Sequence, residues 1–471
     1  QGKQALLLLM RRFLANSRRS ALPCCASTIP SPFSVPSLSQ PLPVAPCRSL
    51  PYQLRHLRST TIPLQGARGA SSSSIKMAAP SEEEVVGGVR PFLVERFFAK
   101  HEFSSEYILG ASDAETWSVK ELLELAAKEG DDKAAQEWEN MTLGYTESAG
   151  HPELRSAVAQ LFGEPIKSDN VICIVPEEGI FITMSTLLKP DDVVIAMKPA
   201  YQSLYEIARG KGCKIRNWEA QYRENGWMFD VDDLEKIFKE EPSAKMLVAN
   251  FPHNPTSWMP SLEEHSRVVE LCRQREMYLF SDEMYWGMAL QKEPLPKSSA
   301  LRYEKSIVLG GLSKPYGLPG LRIGWLVTRD NSAMAKFAQM KDYVTICGSA
   351  PSEILALIGL RHGQKLIERA WRVTNENRQH LKEFCEEFSD VLEYKPEPSK
   401  GLTMFVVLKG WAAEMGSEGF ADWCVEAGSC VLVPSSCFEI STPAVRVGLG
   451  RLNFKEGLAR LGDCFRKRAA K

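Results

Sequence analysis

The sequence predicts an α/β protein: a large domain with a mainly parallel sheet flanked by helices, plus a smaller α/β domain. Three observations predict it. From about residue 150 to about residue 330, short apolar runs bounded by turn residues alternate with amphipathic stretches of helix length, the rhythm of βαβ units. Asn254, Asp282 and Lys314 each follow the carboxyl end of such a run, spaced by about thirty residues, which is one βα unit. At 471 residues, 44% of them hydrophobic, the chain also exceeds one ordinary core and calls for a second domain.

Residues 1–77 are a different material. No Asp or Glu occurs before Glu82, while Arg11, Arg12, Arg18, Arg19, Arg48, Arg55, Arg58 and Arg68 lie among Ser, Pro and Ala. Such a segment buries no core and is expected to be disordered. It reads in one of two ways. It is an organelle transit peptide opening at Met10-Arg11-Arg12-Phe13-Leu14, addressed to a mitochondrion or plastid, or an upstream segment ahead of a cytoplasmic protein that starts at Met77. The apolar run Leu6 to Met10 is too short to cross a bilayer.

Residues 78–139 form an arm assigned to the small domain, with mixed text from Gly88 to Phe103 and a helix from Ser118 to Lys128 whose apolar face is Val119, Leu122, Leu123, Leu125 and Ala126. Residues 140–330 form the large domain. The turn Tyr145 to Gly150 leads into the helix Pro152 to Phe162. Val171 to Val175 is a buried strand, and Pro176 suits the first turn of the helix Glu177 to Leu188, because proline lacks the N–H that a first turn leaves unpaired anyway. Strands follow at Val193 to Met197, Lys214 to Trp218, Lys245 to Asn250, Met277 to Ser281 and Ser306 to Leu309, with a return strand at Arg322 to Val327. Ser261 and Glu264 make a capping box for the helix that ends near Glu276. Residues 331–471 form the small domain: helical text at Asn331 to Gln364 and Ile367 to Phe388, strands at Leu402 to Leu408, Cys430 to Val433 and Ala444 to Val447, and a closing helix Phe454 to Arg468.

Charge excludes one class of partner. Lys+Arg 57 and Asp+Glu 58 nearly cancel, and no basic stripe interleaves with aromatics, so nucleic acid is not expected, nor is a membrane. The 12 cysteines show no metal-type spacing and read as reduced thiols filling the core, with no metal implied.

The chemistry centres on Gly310 to Trp325. Lys314 sits among small and turn-forming residues at the end of an apolar strand, a setting that lowers a lysine pKa and makes the amine a nucleophile or base rather than the solvated charge of a helix face. Open α/β sheets bind ligands at the carboxyl ends of their strands, so Asn254, Asp282 and Lys314 are expected to converge. Each also has an ordinary reading, Asp282 as a helix cap, Asn254 as a turn residue, Arg322 and Arg446 as strand-edge ion pairs. Their joint occurrence at the right strand ends is what favours a site.

The run Ser313-Lys314-Pro315-Tyr316-Gly317-Leu318-Pro319-Gly320-Leu321-Arg322-Ile323-Gly324 resembles the Schiff-base lysine motif of the class I/II aminotransferases, fold type I enzymes that use pyridoxal 5'-phosphate. Asn254-Pro255-Thr256, Asp282-Glu283-Met284-Tyr285, Pro199-Ala200-Tyr201, the Tyr145 to Gly150 turn and Arg446 resemble that family's other motifs in the same order, from about Gly88 onward. The resemblance implies that Lys314 is the catalytic amine, that Asp282 ion-pairs with the pyridine nitrogen, and that Tyr285 and Asn254 hydrogen-bond the ring oxygen. It implies that Tyr201 stacks on the ring, that Ser313 binds the cofactor, that Arg322 holds the phosphate, and that Arg446 forks onto the substrate α-carboxylate. By the same resemblance Tyr145 reaches the phosphate of a neighbouring subunit, so a homodimer with shared sites is expected, acting on an amino acid and a 2-keto acid.

Three departures stand out. Where relatives place a glycine and a small polar residue, Val175-Pro176-Glu177-Glu178-Gly179 stands here, so the phosphate is expected on the amides of Glu177 and Glu178 with both carboxylates turned away. Gly311 replaces a serine three positions before the lysine, and Ser257 replaces a glycine after the Asn-Pro-Thr triplet. Lyases, cyclopropane-forming synthases and amino acid cyclases on this fold share most of the motifs and are the alternative to transfer.

Overall fold

The computed structural model describes residues 85–289, 296–395 and 401–470. The expectations for residues 1–77 lie outside the described residues. Among those described, no helix is long and apolar enough to cross a membrane.

The main sheet has seven strands: β1 (Val171–Ile174), β2 (Val193–Lys198), β3 (Lys214–Glu219), then, past a small hairpin β4 (Gln221–Arg223) and β5 (Gly226–Met228), β6 (Met246–Asn250), β7 (Tyr278–Asp282), β8 (Ser306–Gly311) and β9 (Gly324–Val327). Their spatial order is β1-β9-β8-β7-β6-β2-β3. The run from β8 to β3 is parallel throughout, as expected, and β9 is antiparallel to both β8 and β1. The strands are apolar on both faces because helices cover both. Ile172, Ile174, Leu326, Ile307, Leu309, Phe280 and Val248 pack to one side, whereas Val171, Cys173, Val308, Trp325 and Val327 pack to the other.

Helix boundaries follow their caps. The Ser118 and Ser261 hydroxyls each accept the third amide of their helix, and Glu121 and Glu264 reach back to complete the boxes. The helical text from residue 331 onward is two helices, Asn331–Lys341 and Ala350–Arg361, because Ile346 takes φ 63 and Pro351 can only start a helix. The next break falls at His362 rather than after Gln364, and the helix that follows runs Gly363–Glu387. The helices Val231–Glu240 and Gly416–Gly428 and the β4–β5 hairpin were not expected.

A second sheet, wholly antiparallel, has the order β10-β11-β13-β12, with β10 (Leu392–Glu393), β11 (Thr403–Leu408), β12 (Val433–Pro434) and β13 (Ala444–Gly448). Of the expected strand Cys430 to Val433 only the last residue joins this sheet, and Cys430 instead bridges to Tyr107. That bridge begins a strap. Residues 107–117 cross from the second sheet to the loop after β8, with Tyr107 N–H donating to Ser429 O (3.0 Å), Gly448 N–H to Leu109 O (2.7 Å), Glu115 N–H to Gly450 O (2.8 Å), Ala114 N–H to Lys314 O (3.2 Å) and Trp117 N–H to Gly317 O (3.1 Å). The strap lies so close on β13 that a Cβ at Gly448 would overlap the Ala111 carbonyl, which is why that position takes glycine.

Candidate active site

The parallel register brings the strand ends level: Asn250 pairs with Asp282, and Asp282 with Leu309. Asn254 follows β6 by four residues, Asp282 ends β7, and Lys314 follows β8 by three. All three line one cavity of about 660 Å³, together with Tyr201, Tyr285, Ser313 and Arg322. Convergence is thus a consequence of strand order and register, as expected from the spacing.

Lys314 is seated by the strap. Its Nζ donates to Ser112 Oγ at 2.9 Å, and its carbonyl accepts from Ala114 N–H. The turn behind it needs Gly317 at φ +66, where a side chain would strike the Glu115 carbonyl. Gly311, in place of the family's serine, lies against Gly324 and Met284 with no room for a Cβ to settle without a shift. The Ser313 hydroxyl is buried and has no hydrogen-bond partner, an orphaned polar atom in the cavity wall.

Asp282 is fully enclosed, and burial pushes its carboxyl up to about 7 against the pull of the Met284 amide, which donates to Oδ1 at 3.0 Å, and of Lys314. Asn254 donates its amide to Asn250 Oδ1 (2.7 Å) and accepts at Oδ1 from Arg446 Nη1 (3.1 Å). Arg446 does not line the cavity. It lies behind Asn254, 1% exposed, with Nε and Nη2 donating to the Gly110 carbonyl at 3.2 and 2.9 Å. One N–H on each Nη remains uncommitted. The Tyr201 hydroxyl donates to Glu95 Oε1 (2.9 Å), and its ring tilts against Phe92 with centroids 4.7 Å apart. Arg322, at φ 54, reaches the cavity edge with Nη1 donating to Pro319 O (3.1 Å).

One expectation needs correction. Glu178 is turned away, its carboxylate accepting from Val175 N–H (3.1 Å) and the Thr345 hydroxyl (2.6 Å), but Glu177 is not. Glu177 lines the cavity and accepts from Ser203 Oγ at 3.3 Å. Burial, with the charges of Glu95 and Asp282, pushes its carboxyl up to about 7 against Ser203 and Arg322. The reason is that Glu178 already closes the helix cap, leaving Glu177 the open side. Tyr145, expected to serve a neighbouring subunit, is 92% exposed and lies outside this chain's own cavity.

Several site residues were missed. His253 is buried, its Nε2 donating to Pro199 O (2.9 Å) and its Nδ1 accepting from the Thr256 hydroxyl (2.8 Å), and burial lowers its pKa to about 3, so it is the neutral clamp between the Asn254 and Tyr201 loops. Ser257 holds φ 59, in the left-handed region that favours glycine, and its hydroxyl donates to the Thr403 carbonyl, fastening the Asn254 loop to β11. Phe92, Glu95, Phe98 and Glu102 line the cavity from the helix Leu93–His101 and its flanks, as do Ser112, Asp113 and Arg451 from the two ends of the chain. The spacing of the first four was the available signal.

Asp282 and Glu177 set a pH dependence. Each carboxyl rises from an ordinary 3.8 or 4.5 to about 7, so between those values the folded protein keeps a proton that the unfolded chain has lost. Their contribution to stability is therefore complete below about pH 4 and is lost as pH climbs through about 7. In the ligand-free protein, Asp282→Asn with Glu177→Gln is expected to flatten the fall in melting temperature between pH 5 and pH 8. Calorimetry showing the same slope in that double variant would contradict the assignment.

The family model for aminotransferase class I and II matches residues 108–457. The chain is 27% identical over 350 residues to capreomycidine synthase of Streptomyces vinaceus, covering 73% of this chain and 82% of that protein. It is 27% identical over 345 residues to an aspartate aminotransferase of Pyrococcus horikoshii, covering 70% and 82%. A solved structure of a PLP-dependent aminotransferase from Streptococcus suis superposes with a TM-score of 0.73 at 27% identity, over 80% of this chain and 98% of that one.

Proposed function

Since the chain belongs to the class I and II aminotransferases, enzymes of pyridoxal 5'-phosphate, we propose that it is a transaminase, moving an amino group from an α-amino acid to a 2-keto acid at Lys314. The observation that carries this reading is the meeting of Lys314, Asp282 and the unpartnered Ser313 hydroxyl in one cavity of about 660 Å³.

The residues present fit the cofactor. A buried carboxylate suits a pyridinium, and an orphaned hydroxyl beside Arg322, at the start of the helix Pro176–Leu187, suits a phosphate. When bound, pyridoxal phosphate supplies the electron sink for the pair left on Cα. Lys314 Nζ takes the Cα proton and returns one, its range limited by the Ser112 hydroxyl that holds it at rest. Asp282 would keep the ring nitrogen protonated, and Asn254 and Tyr285 would offer hydrogen bonds to the ring oxygen, Asn254 being held in place by Arg446. Tyr201, braced by Glu95 and Phe92, would cover a ring face. Arg446 backs the cavity through Asn254 and keeps one N–H free on each Nη, the fork that would take a substrate α-carboxylate entering beside Asn254.

The protein acts as a homodimer in this reading, with Tyr145 lent to its neighbour. The exposure of Leu143, Tyr145, Tyr343 and Ile346 on two adjoining loops, linked by Ser148 Oγ donating to Asp342 (3.0 Å), supports it. Arg322→Ala is expected to weaken cofactor binding by about 10- to 100-fold, the value of a charged hydrogen-bonding partner. Dialysis followed by absorbance of the retained cofactor measures it, and full retention would contradict the role.

The similarity to a synthase favours one second reading, in which the same Cα proton removal ends in elimination or cyclisation. A panel of amino donors with and without keto acids separates the two. Transfer predicts keto acid product only when an acceptor is supplied; ammonia or a cyclic product without acceptor would replace it with the second reading.

A further inference from the structure

Once the cavity charges are assigned as above, three carboxylates are left over, Glu95, Glu102 and Glu177. Lys314, Asp282 and Arg322 belong to the cofactor. Arg451 is held by Asp113, its Nη2 donating to Oδ1 at 3.0 Å and Oδ2 at 3.1 Å, so that pair is neutral. Glu177 stands at the start of the Pro176–Leu187 helix, bonded to Ser203.

Phe92, Glu95, Phe98 and Glu102 recur at steps of three or four residues, so they share one side of the arm helix, and all four line the cavity. Glu102 accepts no hydrogen bond and forms no ion pair among the described residues. Burial, then Asp113 and Glu95, raise its pKa against the smaller pull of Arg451 and Lys314, so the acids around it outweigh the two cations. Glu95 has the Tyr201 hydroxyl on Oε1 and no cation. The same helix face adjoins the carboxylate fork, since the Arg446 guanidinium lies 5.8 Å from the centre of the Phe98 ring.

Resting on the transaminase reading of this cavity, we infer that Glu95 and Glu102 select an amino donor whose side chain ends in a cation, an ammonium or a guanidinium. Because the Arg446 guanidinium lies 5.8 Å from the Phe98 ring centre, a donor held there at its α-carboxylate starts beside the helix face on which both acids stand. A neutral side chain leaves Glu102 partly dehydrated and unpaired, and an acidic one adds a third like charge. A guanidinium satisfies both carboxylates with its several donors and lies well against the Phe92 and Phe98 faces. Arg451 offers a dicarboxylic donor little, because Asp113 already balances it.

The test uses the full chain loaded with pyridoxal phosphate and follows the absorbance of the bound cofactor while an amino acid is titrated. L-arginine and L-citrulline differ in side-chain charge and hardly in shape. L-ornithine separates ammonium from guanidinium, and L-aspartate tests the opposite sign. Arginine or ornithine is expected to bind about tenfold or more tighter than citrulline, with aspartate weakest. In Glu102→Gln that preference should fall severalfold, while the constant for citrulline moves less than about threefold. Citrulline bound as tightly as both cations, aspartate bound tighter, or a preference untouched in that variant would overturn the inference. Cofactor absorbance retained in the variant shows that its cavity is intact; should the variant lose it, the wild-type ratio still decides. Failure of the underlying reading looks different: supplied with a keto acid, the loaded protein would turn the bound amino acid into ammonia or a cyclic product instead of its keto acid, whichever amino acid binds tightest.

Discussion

Lys314→Ala is expected to lower turnover on the order of 10⁴-fold or more and to abolish the trapping of pyridoxal phosphate on the chain by borohydride. The effect is large because one group has two tasks, anchoring the cofactor and carrying the Cα proton, and no neighbour can replace it. Asp282 is an acid committed to the ring nitrogen in this reading, Tyr285 and Asn254 are placed for the ring oxygen, and the nearest hydrogen-bond partner, Ser112, has a hydroxyl far too weakly basic. Mass spectrometry of the borohydride-reduced, digested protein locates the adduct. An adduct on another lysine, or a variant within tenfold of wild type, would remove Lys314 from the centre of the mechanism.

Asp282→Asn is expected to cost about 10²- to 10³-fold in kcat while the cofactor remains bound. The carboxylate sits in a place where burial alone drives it toward its neutral form, up to about 7, so a cation beside it restores the charge and strengthens the pair in return. An amide in the same shape keeps the packing and the Met284 bond but cannot hold a proton on the ring nitrogen. Activity within fivefold of wild type, with cofactor occupancy equal in both proteins, would show that ring protonation does not limit the reaction.

Much of the fold was legible because its elements announce themselves locally. Val171 to Ile174 and Met246 to Asn250 are short, apolar and bounded by turns, and Ser118 with Glu121 and Ser261 with Glu264 fix helix starts within the span of one turn. The strand-end positions of Asn254, Asp282 and Lys314 followed from counting βα units. What stayed hidden depends on contacts between distant parts of the chain. Glu95 and Glu102 lie on a helix whose pattern shows an inner side but not what that side meets. Arg451 and Asp113 are paired across 338 positions. Glu177 and Glu178 are neighbours with the same side chain, and only the geometry of the cap decides which of them faces the cavity. Ser257 had no reading until β11 was seen to lie against it.

The strap has a consequence for synthesis. The Glu106 amide donates to Ser429 Oγ at 2.8 Å, a partner 323 positions further on. At the usual pace of translation that partner leaves the ribosome on the order of half a minute after the strap does. Until then residues 107–117 have no second sheet to lie on, and the amine that they hold in place has no fixed perch. The reactive centre is thus completed only once β13 and Gly450 have been made, and a polypeptide that stops short of Gly448 leaves it unroofed.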